Sequence, residues 1–69
     1  MQGRYRVYVY AEQGGQHNAP HCHVEWGDGS CVIDLNTLAV LRGQSTPQAR
    51  QLVRDHWGRI VAAWQRLNP

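Results

Sequence analysis

The sequence contains no phenylalanine, no lysine, only two cysteines and no apolar run long enough to cross a membrane. Without a membrane segment or an apolar leader, we expect a cytoplasmic protein with reduced thiols and no membrane partner. Seven arginines against five acidic residues give a formal charge of +2, far from the dense basic run of a dedicated nucleic-acid tail. The exclusive use of arginine favours bidentate contacts with phosphate or carboxylate, although a GC-rich genome would produce the same bias.

A chain of 69 residues allows one domain with one small core. Such a chain buries a modest fraction of its surface, so its expected margin of stability is thin and a homodimer is compatible with it. Three tryptophans and three tyrosines supply large apolar bodies with polar tips, which suit a core whose edges meet water. The chain is expected to fold without a cofactor.

Alternation of apolar and polar residues predicts four strands. They span about residues 4–11, 21–27, 30–35 and 38–42. A two-residue turn at Asp28-Gly29 would place His23 opposite Asp34 across the ladder. In that register the two cysteines start roughly 13 Å apart along the strands, which excludes a disulfide. A second tight turn, at positions 36–37, would keep the apolar residues of the fourth strand on one face.

Apolar residues spaced three and four apart predict a single helix over about residues 47–67. Thr46 and Pro47 provide an N-cap and a proline at the first helical position, and Ser45 with Gln48 offers a capping box as an alternative. Gly58 falls on the polar side and is expected to allow a slight bend at most. The predicted fold is therefore α+β, an antiparallel four-stranded sheet (ββββ) with one C-terminal helix packed on one face.

The sheet face away from the helix gathers the polar residues. Its members are Arg6, Tyr8, Tyr10, His21, His23, Glu25, Val32 and Asp34, with His17 in the loop before the second strand. Imidazole titrates near neutral pH, so His21 and His23 are candidate acid–base catalysts. In the predicted register Asp34 would orient His23.

The same face offers candidate binding residues. Arg6 and Tyr8 could hold a phosphate or stack a base. The other candidates for binding are Tyr10, His17 and Glu25. The competing interpretation is that a solvated sheet face simply needs polar residues, and that the pairs across it are ordinary cross-strand pairs.

The same residues could also be considered as metal ligands. His17, His21 and His23, together with a carboxylate, resemble a transition-metal ligand set. The sequence has no CxxC or HExxH spacing, so no metal site is predicted. Cys22 and Cys31 point to the helix side by alternation and are expected to be small buried hydrophobes.

The string HNAPHCHVEWGD, from His17 to Asp28, resembles the signature of an uncharacterised bacterial family called domain of unknown function 4160. Further resemblance lies in residues 32–35, 37–43 and 49–64, so it spans nearly the whole chain. The chain departs from the family at Cys22, where a bulky apolar residue is usual, and at Ala19, where proline is common. Its helix is also about one turn shorter, which indicates a divergent member.

The resemblance implies a small toxin-like component of a bacterial or phage toxin–antitoxin module, with a small protein partner encoded nearby. The His-rich sheet face makes RNA the target that we expect such a toxin to act on. A different class of function also stays open. In it the chain is a non-catalytic interaction module, or a mobile-element inhibitor of a host system, that docks on a protein through the same face or through a strand edge.

Overall fold

The computed structural model describes residues 4–11, 19–44 and 46–68. Four strands form one antiparallel sheet in chain order, each paired with the next: β1 Arg6–Tyr8, β2 His21–Trp26, β3 Gly29–Asp34 and β4 Val40–Gly43. Two helices follow, α1 Pro47–Asp55 and α2 Trp57–Leu67. The α+β class and the four-stranded sheet are confirmed, whereas the prediction of one helix is wrong. The first strand is also much shorter than the predicted span 4–11.

The register of the hairpin between β2 and β3 differs from the predicted register by two residues. Its loop is Gly27-Asp28, and Trp26 pairs with Gly29. Gly29 is needed inside the strand because a Cβ atom there would lie 2.7 Å from Nε1 of Trp26 and would also meet the side chain of Gln44. In the observed register the indole of Trp26 therefore packs over a glycine.

The turn between β3 and β4 is held by a carboxylate. Oδ1 of Asp34 accepts hydrogen bonds from the backbone N–H of Asn36 at 2.7 Å and of Thr37 at 3.0 Å. The backbone N–H of Leu38 donates to the carbonyl of Asp34 at 2.7 Å, and Leu38 itself has a φ of 64°. The loop is thus longer than the predicted two residues.

The core lies between the sheet and both helices. Its buried members are Cys22, Val24, Cys31, Ile33, Leu35, Ala49, Val53, Ile60 and Trp64, with Tyr5, Val7, Val9, Trp26, Leu38, Val40 and Val61 packed around them. The predicted alternation along β2 is confirmed, because Cys22 and Val24 are fully buried while Glu25 is exposed. Both thiols are free, as expected.

The helical segment breaks at His56, two residues before the glycine where a bend was expected. His56 ends α1 with φ −116° and ψ 22°, and it also begins α2. The N-terminus agrees with the sequence, because the Thr46 hydroxyl accepts from the backbone N–H of Ala49 at 3.2 Å and Pro47 occupies the first turn. The apolar spacing continues through the break, so periodicity alone did not reveal it.

Contacts at its two ends fix the position of α2. The indole Nε1 of Trp57 donates to the carbonyl of Leu35, just after β3, at 2.6 Å. At the other end, Nδ2 of Asn68 donates to the carbonyl of Tyr10, beyond β1, at 3.1 Å. The helix thus spans from the β3 side to the β1 side at the end of the sheet where β2 begins. Within the described residues, no helix is long and apolar enough to cross a bilayer.

Candidate functional site

The sheet face opposite the core, here called the open face, consists of rows of side chains set by the strand register. Tyr8 of β1 pairs with His23 of β2, which pairs with Val32 of β3 and through it with Arg42 of β4. A neighbouring row runs from Arg6 through Glu25 to Ser30. The register thus brings the predicted residues of β1 and β2 together on one surface.

Four aromatic side chains on the open face are in ring contact, and we call them the aromatic row: Tyr8, Tyr10, His23 and His21. The rings of Tyr8 and Tyr10 stack with centroids 6.2 Å apart and planes 12° apart. Tyr10 meets His23 edge-on at 4.9 Å, and His23 meets His21 edge-on at 5.3 Å. The row presents consecutive π surfaces, and Tyr10 is 46% exposed.

His21 lies at the end of this row, where a backbone oxygen and the ring of a core residue are among its contacts. Its Nδ1 lies 2.8 Å from the carbonyl oxygen of Ala19. Because a carbonyl oxygen only accepts, Nδ1 must carry the proton, and the lone pair of the neutral ring is then on Nε2. The ring also lies 5.0 Å from the ring of Trp64, with 53° between the planes. His21 therefore has a fixed orientation and a defined basic nitrogen.

Asp34 does not hold the place predicted for it. The observed register pairs Asp34 with His21, and His23 pairs with Val32. The prediction that Asp34 orients His23 is wrong, because it assumed the turn at Asp28-Gly29. The carboxylate of Asp34 instead binds the amides of the β3–β4 turn, so its visible role is to hold that turn.

The positive charge of the open face lies beside the aromatic row. The guanidinium of Arg6 interacts with the hydroxyl of Tyr8 and, more weakly, with Glu25, and both raise the pKa of Arg6 above its ordinary value. Arg4 and Arg6 also border a shallow depression with Glu25 and Trp26. Arginine at this edge supplies a permanent cation next to π surfaces.

Sequence reasoning missed three contributors to the site. Trp64 was expected only in the core, yet its ring contacts His21. The carbonyl of Ala19 carries no side-chain signal, and its role depends on the backbone conformation before β2. Arg42 lies opposite Val32 because a register irregularity follows at Ile33. Packing sets the position of such irregularities, and no residue type in β4 indicates this one in the sequence.

His17 lies outside the described residues, so its predicted place in the site is untested. Within residues 4–11, 19–44 and 46–68, no three His, Cys, Asp or Glu side chains come together as a metal ligand set. The other candidates, Arg6, Tyr8, Tyr10 and Glu25, lie in or beside the open face.

The two thiols belong to the opposite face and to a different chemistry. Cys22 pairs with Ile33 and Cys31 with Val24, so the cysteines are diagonal neighbours and not roughly 13 Å apart as predicted from the strand spacing. Burial, with a smaller effect of Cys31, raises the pKa of Cys22 to about 12, and burial also raises the pKa of Cys31. A thiol that stays protonated is a poor nucleophile, which excludes both from the candidate chemistry.

Comparison with known proteins identifies the family of this chain. A family model described as Domain of unknown function (DUF4160) matches residues 5–65, which is most of the chain. No curated protein and no solved structure matches the chain. The matched span covers all four strands, α1 and most of α2, so the match concerns the whole fold described above.

Proposed function

The chain belongs to this family of unknown function, DUF4160, and we propose that its open face binds single-stranded RNA, with His21 and His23 as the acid–base pair for cleavage. In the cell this activity would make it the toxin-like component of a toxin–antitoxin module. The observation that carries the proposal is the aromatic row, in which four rings follow one another at centroid spacings of 4.9 to 6.2 Å.

The aromatic row suits unpaired bases. Single-stranded RNA is recognised largely by stacking of splayed bases on aromatic side chains of a sheet surface. The tyrosine rings stack nearly in parallel, and Tyr10 presents almost half of its surface to solvent. Each stacked base contributes about 1–3 kcal/mol to affinity, so even two bases would give measurable binding.

Arginines at the edge of the row suit the phosphates that link such bases. Arg4, Arg6 and Arg42 are exposed, and the latter two occupy rows of the open face next to the aromatic side chains. Three phosphate contacts predict a slope of about −2 in a plot of log affinity against log salt. This modest slope fits a chain whose net charge is only +2.

The two imidazoles suit RNA cleavage in which the ribose 2′-oxygen attacks the adjacent phosphorus. In this proposal Nε2 of His21 takes the proton of a ribose 2′-hydroxyl, and the oxygen forms a bond to phosphorus. The bond from phosphorus to the 5′-oxygen breaks, and protonated His23 delivers its proton to that oxygen. The products are a 2′,3′-cyclic phosphate and a free 5′-hydroxyl. The distance of 5.3 Å between the two ring centroids supports this proposal, because both imidazoles could then reach one phosphodiester.

The direct test uses purified protein and a fluorescein-labelled RNA of ten unpaired nucleotides. Binding is measured by fluorescence anisotropy, and cleavage is measured by gel with assay of the cyclic phosphate. We expect His21→Ala and His23→Ala to lower the cleavage rate about 100-fold or more, a much larger loss than the weakening of binding that follows from removing one stacking ring. Tyr10→Ala should weaken binding at least about fivefold.

The matched control is His56→Ala, since His56 is exposed at the junction of the helices and away from the aromatic row. It removes an imidazole without touching the open face. If the control loses as much activity as the His21 and His23 variants, or if the native protein does not bind the RNA at all, the proposal fails.

The cellular role needs a separate assay. Induced expression of the protein alone should slow growth, and co-expression of the adjacent gene should restore it. His21→Ala or His23→Ala should relieve the effect at equal protein level. Toxicity that persists in both variants would remove the two histidines from the mechanism.

A second candidate function rests on β4. Among the described residues this strand pairs only with β3, and Leu41 within it is 55% exposed. An exposed apolar side chain on an edge strand favours docking by addition of a partner strand, as an interaction module or a mobile-element inhibitor of a host system would do. Harmless expression, with a stable complex that Leu41→Asp abolishes and His21→Ala preserves, would favour this function over the first.

A further inference from the structure

A groove separates α1 from the β2–β3 hairpin, at a distance from the aromatic row. Its volume is about 820 Å³, and it is broadly open to solvent. Its lining residues are Tyr5, Trp26, Gly27, Asp28, Gln48, Gln51, Leu52 and Asp55. We call it the α1 groove. Trp26 and Gly27 also border the depression beside Arg4 and Arg6, but no member of the aromatic row lines the groove.

One wall of the α1 groove is aromatic and fixed. The rings of Tyr5 and Trp26 lie 5.1 Å apart with 36° between their planes. The indole of Trp26 also packs over Gly29, where a Cβ atom would approach its Nε1 to 2.7 Å, so it has little freedom to move. Leu52, on α1, adds apolar surface. The wall therefore offers a preformed π surface to a ligand.

The charged side chains that line the α1 groove are negative. Among the described residues, the charged ones that line it are Asp28 and Asp55, while Arg4 and Arg6 border the neighbouring depression on the other side of Trp26 and Gly27. Gln51 donates from Nε2 to Oδ1 of Asp55 at 2.8 Å, which orients that carboxylate. In a chain with a formal charge of +2, this is a local excess of negative charge.

We propose that the α1 groove binds a guanidinium group, which lies against Trp26 and pairs with the carboxylates of Asp28 and Asp55. A planar cation gains from the face of an indole and from carboxylates at the same time, whereas an anion or a neutral molecule gains from only part of this lining. Guanidinium fits better than ammonium because it is flat, weakly hydrated and able to donate two parallel hydrogen bonds to one carboxylate. The inference does not depend on RNA binding at the open face.

The test uses two probes of nearly equal shape, the cation butylguanidinium and its neutral counterpart butylurea. Each is titrated into the native protein, and the three indole N–H resonances are followed by NMR. Butylguanidinium should shift the Trp26 resonance in a saturable way and leave that of Trp57 unchanged. Butylurea should shift neither. Equal response to both probes, or no response to butylguanidinium, would overturn the proposal.

Matched variants tie the binding to the α1 groove. Asparagine, like aspartate, is common in turns, so Asp28→Asn should preserve the hairpin. It should weaken butylguanidinium binding at least about fivefold, because one carboxylate is lost. Arg66→Gln removes a charge from the last turn of α2, outside the groove, and should leave the affinity unchanged. If Asp28→Asn proves unstable, Asp55→Asn serves the same purpose on α1. Unchanged affinity in a folded groove variant would contradict the assignment.

Two further probes distinguish the sources of the guanidinium. Agmatine represents a small metabolite, and a capped Gly-Arg-Gly peptide represents an arginine side chain of a partner protein. Tighter binding of agmatine identifies a metabolite site, and tighter binding of the peptide identifies a protein-recognition site. Either result supports a guanidinium site, whereas failure of both to compete with butylguanidinium would contradict it.

Discussion

The two faces of β2 and β3 differ although their residues alternate along the same strands. Cys22, Val24 and Ile33 have no exposed surface, while His21, His23 and Val32 keep part of theirs. The covered face packs against both helices, and the open face carries the aromatic row. Neighbouring residues on one strand thus serve the core and the candidate site separately, except at His21, whose ring contacts Trp64 of the core.

Replacement of adjacent residues on the two faces should give the largest contrast. Ile33→Ala empties a fully buried position and should lower the free energy of unfolding by about 3–4 kcal/mol. Val32→Ala, on the open face, should cost about 1 kcal/mol or less. Urea denaturation followed by tryptophan fluorescence measures both. Equal losses of stability would show that the two faces contribute alike to the fold.

Substitution of Gly43 tests how much the pairing of β4 with β3 contributes to the stability of the sheet. Gly43 has a φ of 91°, and a Cβ atom there would lie 2.8 Å from Cα of Cys31 and even closer to the carbonyl of Ser30. Gly43→Ala should therefore lower the free energy of unfolding by about 2–3 kcal/mol, through both backbone strain and overlap. Gly58→Ala is the matched control, because no atom lies within 4 Å of a Cβ built at that site. The control should be neutral or stabilising in the same urea experiment.

The buried thiols predict a loss of stability at alkaline pH. Burial raises the pKa of Cys22 from 9.0 to about 12, so above pH 9 the unfolded chain releases a proton that the folded protein keeps. The stabilisation is complete below pH 9 and is lost as the pH rises towards 12. Urea midpoints between pH 8 and 10.5 should fall more steeply for the native protein than for Cys22→Val, which retains a buried apolar side chain. Parallel curves for the two proteins would contradict a raised thiol pKa.

Changes on the open face should have the smallest effect on stability. Tyr8→Ser removes a partly exposed ring and should lower the free energy of unfolding by about 1 kcal/mol at most, by analogy with surface substitutions. The same variant should lose RNA affinity, because a stacking surface is gone. Thermal melts and anisotropy on one sample measure both. A large loss of stability would show that the aromatic row supports the fold and is not reserved for binding.

Much of the candidate site could be predicted from strand alternation. The side chains of His21, His23 and Tyr8 were assigned to one face because β-strand residues alternate with a period of two, and their face does not change when the register shifts by two. The partner of each residue could not be assigned in this way. A shift of two residues keeps the face and changes every pair, which is why Asp34 was matched with His23 when it lies opposite His21.

The sequence by itself determined the class of fold, the strand that carries the histidines, the start of the helical segment near Pro47 and the burial of both cysteines. These features depend on local chemistry and periodicity, which a single segment contains. Only the tertiary structure decided the turn at Gly27-Asp28, the helix break at His56 and the contact of His21 with Trp64. Each depends on how side chains distant in sequence fill the same space, and no segment carries that information alone.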